Sequence, residues 1–193
     1  MKNRFHAHTV LWRRLDLPGH ETCRVQSLAA GWEIAGAAVF ADEQQVCRLT
    51  YAVTCDSLWQ TLSATVEGWI GDQDVNVEIV REVREAREAA GGWRLNGRDC
   101  PQVAGCIDID LNFSPSTNLL PIRRLAPEVG QAVQVRAAWL RFPSFELEPL
   151  EQVYTRREPN LYRYESAGGR FVAPVTVDDF GLVERYGDLW VRA

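Results

Sequence analysis

The stretch QVCRLTYAVTC, residues 45–55, changes from polar to apolar and back at every second position. Cys47, Leu49, Tyr51, Val53 and Cys55 fall in one row, and Arg48, Thr50 and Thr54 in the other. A strand turns successive side chains to opposite faces, so this pattern describes a strand with one packed and one wetted face. Flanking segments repeat it. Leu62, Ala64, Val66 and Ile70 alternate with Thr61, Ser63, Thr65 and Glu67, and Val133, Val135, Ala137 and Trp139 alternate with Gln134 and Arg136. One-sided alternation belongs to antiparallel sheets. Gly91-Gly92, Asn96-Gly97 and Gly168-Gly169 lie between strand-like runs, and Asn-Gly is the strongest short hairpin signal. Runs between such signals number on the order of eleven.

Two segments depart from this period. VNVEIVREVREAREAA, residues 75–90, begins with alternating Val75, Val77 and Ile79, but REVREAREAA is compatible with a helix. The Arg81–Glu85 and Arg84–Glu88 pairs run in the less favourable orientation for a helix, so a long strand entering a hairpin is expected. After Ser114 a short helical turn is expected. Ser114 can cap it, Pro115 suits the first helical position and Pro121 prevents a long continuation. No linker, repeat or low-complexity stretch divides the chain. The expectation is one domain over 1–193, all-β with one or two short helices.

Composition narrows the functional classes. The 193 residues (21.8 kDa) are 46% hydrophobic and 24% charged, as in ordinary soluble globules. A chain of this size buries about 70% of its surface, enough for a core without staples. The net charge of -5 and pI near 5.3 argue against nucleic acid, which needs a basic face. The first nineteen residues never run apolar for the length of a signal peptide, and Arg13 and Arg14 interrupt them. No stretch reaches the apolar length of a membrane span. Cys23, Cys47, Cys55, Cys100 and Cys106 are odd in number and start no close C-x-x-C pair. They read as small core hydrophobes of a reduced, cytoplasmic protein, ahead of a disulfide or metal role.

The chemistry concentrates in GCIDIDLNFSPSTNLLPIRRL, residues 105–125. Ile107, Ile109, Leu111 and Phe113 form one strand face, and Cys106, Asp108, Asp110, Asn112 and Ser114 the other. That spacing sets the aspartates about 7 Å apart, with Arg123 and Arg124 returning after a proline turn. One reading is a polar head-group site. The arginines would take phosphate or carboxylate, while Asp108, Asp110 and Asn112 or Asn118 would take sugar hydroxyls. The other is a surface strand whose aspartates pair with Arg123 or Arg124 and fix a loop, worth about 0–1 kcal/mol. An enzyme is a third reading, because the spacing suits inverting glycosidases, although carboxylates on one strand rarely flank a bond from opposite sides.

Of the seven tryptophans, Trp59 and Trp69 share parity with the polar row and are the candidates for stacking on a ligand. Trp139 stands in an apolar row and reads as core. His6 and His8 would share a strand face, but no third metal ligand is placed and solvated histidines are expected. No phosphate-binding glycine loop and no G-x-S-x-G elbow occurs.

Several stretches resemble one bacterial family, named "Putative glycolipid-binding" and formerly a domain of unknown function. They are YAVTCDSLW (51–59), WRLNG (93–97), the 105–125 segment and Phe142-Pro143. QVYTR (152–156), YRYES (162–166) and VDDFGLVERYGDLW (177–190) extend the resemblance over nearly the whole chain. It implies a curved antiparallel sheet, a spiral β-roll or incomplete barrel similar to bacterial lipoprotein carriers, whose concave side holds acyl chains. It brings no catalytic residues, and because no secretion signal is read in this sequence, the carriers' periplasmic shuttle role is not expected to carry over. The leading expectation is a non-enzymatic cytoplasmic binder of an amphipathic lipid or glycolipid through Asp108, Asp110, Asn112, Asn118, Arg123, Arg124, Trp59 and Trp69. The expected partners are that ligand and, as an option, a second copy in a homodimer. No nucleic acid, membrane span, metal or cofactor is expected. An enzyme on a sugar or phosphorylated small molecule and a protein-interaction module are the alternatives. Shape separates the three: a deep apolar cavity, a polar cleft with perturbed carboxylates, or a flat apolar patch.

Overall fold

The computed structural model describes residues 7–82 and 92–193. Its first half is a run of strands β1 (Ala7–Arg14), β2 (Gly19–Leu28), β3 (Gly31–Asp42), β4 (Gln45–Asp56), β5 (Thr61–Ile70) and β6 (Gln73–Arg81), followed by the short β7 (Trp93–Leu95) and β8 (Arg98–Asp99). The second half begins at β9 (Ile109–Leu111) and helix α1 (Leu119–Leu125). It continues through β10 (Ala132–Arg141), β11 (Glu146–Glu158), β12 (Leu161–Ser166), β13 (Phe171–Val177), β14 (Val183–Tyr186) and β15 (Trp190–Arg192). All fifteen strands form one sheet, in the order β8 down to β1 and then β15 down to β9. Each half is therefore a meander, antiparallel throughout except that the edge strand β9 lies parallel to β10, and β1 pairs with β15 to join the halves, from Trp12 opposite Arg192 to Arg14 opposite Trp190. The sheet is curved and open, not a closed barrel. The count exceeds eleven because β7, β8, β9 and β15 have two or three residues each, too few to show a period.

The strand at 45–55 faces as its pattern requires, with Cys47, Leu49, Tyr51, Val53 and Cys55 all buried. Its neighbour β5 breaks parity at one point. Thr54 pairs with Ser63 but Cys55 with Thr61, leaving Leu62 extra in a β-bulge. Thr61, expected on the polar row, consequently turns inward and is fully buried. There its hydroxyl accepts a hydrogen bond from the Ile109 N–H (3.0 Å), and its own N–H donates to the Ile107 carbonyl (3.3 Å). The edge strand β9, parallel to β10, is thus tied back across the roll onto β5.

The concave face is filled by the chain itself. Phe113, Leu119, Leu120 and Ile122 are buried there, and Phe113 meets Tyr51 edge-on with centroids 6.1 Å apart. The Ser114 hydroxyl accepts from the Ser116 N–H (3.1 Å), and a 3-10 turn over Ser116–Asn118 runs directly into α1. Pro121 was expected to prevent a long continuation; it is the third residue of α1, which ends four residues later at Leu125. In a first turn the N–H has no intrahelical partner, so proline is accommodated.

Asn96 and Gly97 both take positive φ (50° and 75°) in the turn between β7 and β8, as a type I′ hairpin demands. Strand β6 extends to Arg81, but residues 83–91, which hold most of REVREAREAA and Gly91, and His6 lie outside the described residues. The five cysteines are buried and free.

Candidate functional site

Across the parallel β9–β10 pair, Asp110 stands beside Trp139. Both face a cavity of about 500 Å³ on the concave side of the second half. Its deeper wall carries the buried Ser114, Asn118, Tyr164, Ser166 and Trp190, and Asn112, Arg141, Arg170 and Phe171 stand at the exposed rim. Tyr164 meets Phe171 and Tyr186 edge-on, with centroids 5.9 and 5.6 Å away, so the lining alternates aromatic faces with polar groups. A larger hollow of about 790 Å³ beside Asp42, Gln45 and Pro143 is walled mainly by exposed turn residues and gathers no convergent side chains.

Asp110 receives a hydrogen bond from the Gln152 amide (2.6 Å), itself buried. Burial pushes the Asp110 carboxyl up to about 6, against the opposing effect of Gln152. Asn118 is fixed at both ends of its amide: it accepts from the Tyr154 hydroxyl (2.9 Å) and donates to the Pro115 carbonyl (3.0 Å). Burial also pushes the phenols of Tyr154, Tyr164 and Tyr186 up, so they remain neutral donors.

Behind Ser114 lies a buried acid. Glu21 occupies the core row of β2 with Cys23 and Val25. One carboxyl oxygen accepts from the Tyr51 hydroxyl (2.5 Å) and the Ser114 hydroxyl (2.6 Å). The other has no hydrogen-bond partner among the described residues. Burial pushes Glu21 up to about 8, although Ser114, Tyr51 and Arg14 oppose it. Gly36 makes room for this group, because a Cβ there would lie 2.5 Å from the Tyr51 oxygen.

The residues singled out from sequence separate into four places. Asp110, Asn112 and Asn118 share the cavity. Asp108, almost fully buried, forms a two-pronged ion pair with Arg124 (3.0 and 2.5 Å), which ties α1 to the approach of β9. Burial raises the Asp108 carboxyl, and Arg124 counters it. Arg123 is exposed, with its guanidinium 5.0 Å from the Phe180 ring and 5.4 Å from that of Trp59. Trp59, expected to face a ligand, is buried instead. It stacks on Trp32 at 4.7 Å, in a backbone conformation (φ 64°) unusual for a bulky residue. Trp69 is half-buried on the opposite sheet face between Arg48 and Asp74, away from the cavity.

Trp139, expected in the core, is a half-buried cavity wall. The buried side of β10 at that end belongs to Ala138 and Leu140, which pair with Ile109 and Leu111. Gln152, Tyr164, Tyr186, Arg141 and Arg170 went unnoticed in the sequence, because nothing local tells which strands face β9. Glu21 did leave a signal, a carboxylate in step with Cys23 and Val25. Among the described residues no group of three His, Cys, Asp or Glu side chains is placed to hold a metal, and no helix is long and apolar enough to cross a membrane.

A family model described as "Putative glycolipid-binding" matches residues 9–192. Among solved structures, the crystal structure of a DUF1089 family protein from Pseudomonas aeruginosa superposes with a TM-score of 0.75 at 27% sequence identity. The match covers 97% of this chain and 92% of that one. No curated protein matches. A match that runs from β1 into β15, carried by the same sheet in a solved relative, makes this chain a member of the "Putative glycolipid-binding" family, formerly DUF1089.

Proposed function

We propose that the protein binds the sugar head group of an amphipathic lipid or glycolipid, without chemistry, in the cavity beside Asp110. One observation carries this reading: aromatic faces, fixed amides and a carboxylate converge on a single space. A sugar ring offers apolar C–H faces to aromatic rings and hydroxyls to acceptors and donors, and this lining offers both. The volume of about 500 Å³ is within the roughly 300–1,000 Å³ of small-molecule sites. It equals roughly seventeen waters at about 30 Å³ each, which suits a head group better than a head group with a long acyl chain. The cavity is thus neither the deep apolar pocket expected of an acyl carrier nor a flat patch. In this reading Asp110, Asn112 and Asn118 hold hydroxyls, Trp139 and Tyr164 flank the ring, and the tail leaves over Phe171 and Leu189. The Asp108–Arg124 pair serves by holding β9 in place.

The raised carboxyl of Asp110 favours a second reading, an acid catalyst acting on a sugar, since a carboxyl near 6 can deliver a proton at neutral pH. Hydrolysis of a glycosidic bond employs two carboxylates on opposite sides. Among the described residues Asp110 is the one carboxylate lining the cavity, and this favours binding.

Native mass spectrometry of freshly purified protein, with organic extraction, tests the reading. A bound amphiphile of defined mass is the expected result, and Asp110→Ala should weaken its binding about tenfold or more. A clean unliganded mass, unshifted by added lipid extracts, would overturn it.

A further inference from the structure

Charge around the cavity runs against the charge of the molecule. The chain carries a net -5, yet the described residues lining this cavity include two arginines, Arg141 and Arg170, and one carboxylate, Asp110. Arg141 ends β10, Arg170 stands in the turn before β13, and both are exposed at the rim. Arg141 follows Trp139 on β10, with its guanidinium 5.9 Å from that ring, and holds Glu148 by a single exposed contact of 3.2 Å. Such a surface pair contributes little and exchanges readily for a better anion. Arg170 is anchored through Nε to the Ala167 carbonyl (3.0 Å), and its terminal nitrogens have no partner among the described residues. A guanidinium held at Nε presents its remaining donors as a fork suited to phosphate or carboxylate. Asp110 is already engaged by the buried Gln152 and is not paired with either arginine.

We propose that the ligand carries an anionic group, phosphate or carboxylate, beside its sugar hydroxyls, and that Arg141 and Arg170 hold that group at the rim. This rests on the head-group reading above and adds the charge of the ligand to it. Acceptors for the hydroxyls and donors for the anion then lie on the same cavity, and the tail carries no charge of its own.

Calorimetric titration of the full chain tests it with four probes below their micelle concentrations: octyl glucoside, octyl glucuronide, the 6-phosphate of octyl glucoside, and octyl phosphate. An anionic sugar amphiphile should bind about tenfold or more tightly than octyl glucoside, with an advantage that shrinks as salt is raised. Whichever of the glucuronide and the sugar phosphate is tighter names the anion. The Arg141→Gln/Arg170→Gln double variant should bring the ratio of anionic to neutral affinity close to one. Equal affinity for neutral and anionic sugars, or a ratio that survives in the double variant, would overturn the proposal and leave the head-group reading standing. Octyl phosphate binding as tightly as the sugar phosphate, or none of the four binding, would refute the head-group reading and this proposal with it.

Discussion

At Glu21 the period of the strand and the chemistry of the side chain are in conflict. Position 21 faces the core, where an ionised carboxylate is strongly disfavoured, and the two hydroxyl donors from Tyr51 and Ser114 offset only part of the penalty. The unfolded chain releases this proton near 4.5 and the folded chain near 8. Between those values the folded state holds the extra proton, so stability falls as pH rises through the window and the full penalty applies above it. Asp110 adds a smaller effect of the same sign between 3.8 and about 6. The urea midpoint should therefore drop from pH 5 to pH 8. Glu21→Gln keeps the acceptor oxygen and removes the charge. It should flatten that drop and stabilise the fold at pH 8 by about 1–3 kcal/mol, with little change at pH 5. A variant with the wild-type pH profile would show that Glu21 is not the group responsible.

Among the elements, β9 depends most on help from outside itself. It has three residues, pairs in parallel with β10 on one side, and on the other leans on the Thr61 hydroxyl. Thr61→Val preserves shape but leaves the buried Ile109 N–H without an acceptor, a cost of about 1–3 kcal/mol. Chemical denaturation should show that loss. Because Asp110 rides on the same strand, ligand affinity should fall in parallel; unchanged affinity would mean that β9 keeps its position without the tie.

These details also mark where sequence reading stops. The row from Cys47 to Cys55 was legible because a one-sided strand writes its burial into every second residue. The bulge at Leu62 was not, since one extra residue reverses parity without any change in composition. The same limit applies to the site. The 105–125 segment announced itself by its packed polar residues, yet Asp108 and Asp110, two positions apart, have separate partners in Arg124 and Gln152. Gln152 binds Asp110, and Tyr164 and Arg170 line the cavity, from 40 to 60 residues later in the chain, a pairing that only the folded topology reveals.

For the molecule taken together, the pairing of β1 with β15 joins the two halves into one continuous sheet, and they are expected to unfold as one unit. Trp12 reinforces that junction. It is fully buried on β1 and donates its indole N–H to the Val183 carbonyl (2.7 Å) on β14. Tryptophan fluorescence and far-ultraviolet dichroism should report a single coincident unfolding transition. Trp12→Ala should lower stability by about 3–5 kcal/mol. Two separate transitions in the wild-type chain would show that the halves fold independently and that the junction is a mere contact.

The same junction has a consequence for how freely the chain could be re-threaded. The Ala193 N–H donates to the Leu11 carbonyl (2.9 Å), so the last strand finishes four residues along from Ala7, at the start of the first. A bridge of about six residues between Ala193 and Ala7, in place of residues 1–6, spans that gap. The exposed turn between β3 and β4, at Glu43 and Gln44, can then be opened without cutting any pairing or touching the cavity. A circular permutant beginning at Gln45 would carry its order of strands shifted by three places and keep every neighbour in the sheet. Only the route of the chain changes, and the binding face stays the same.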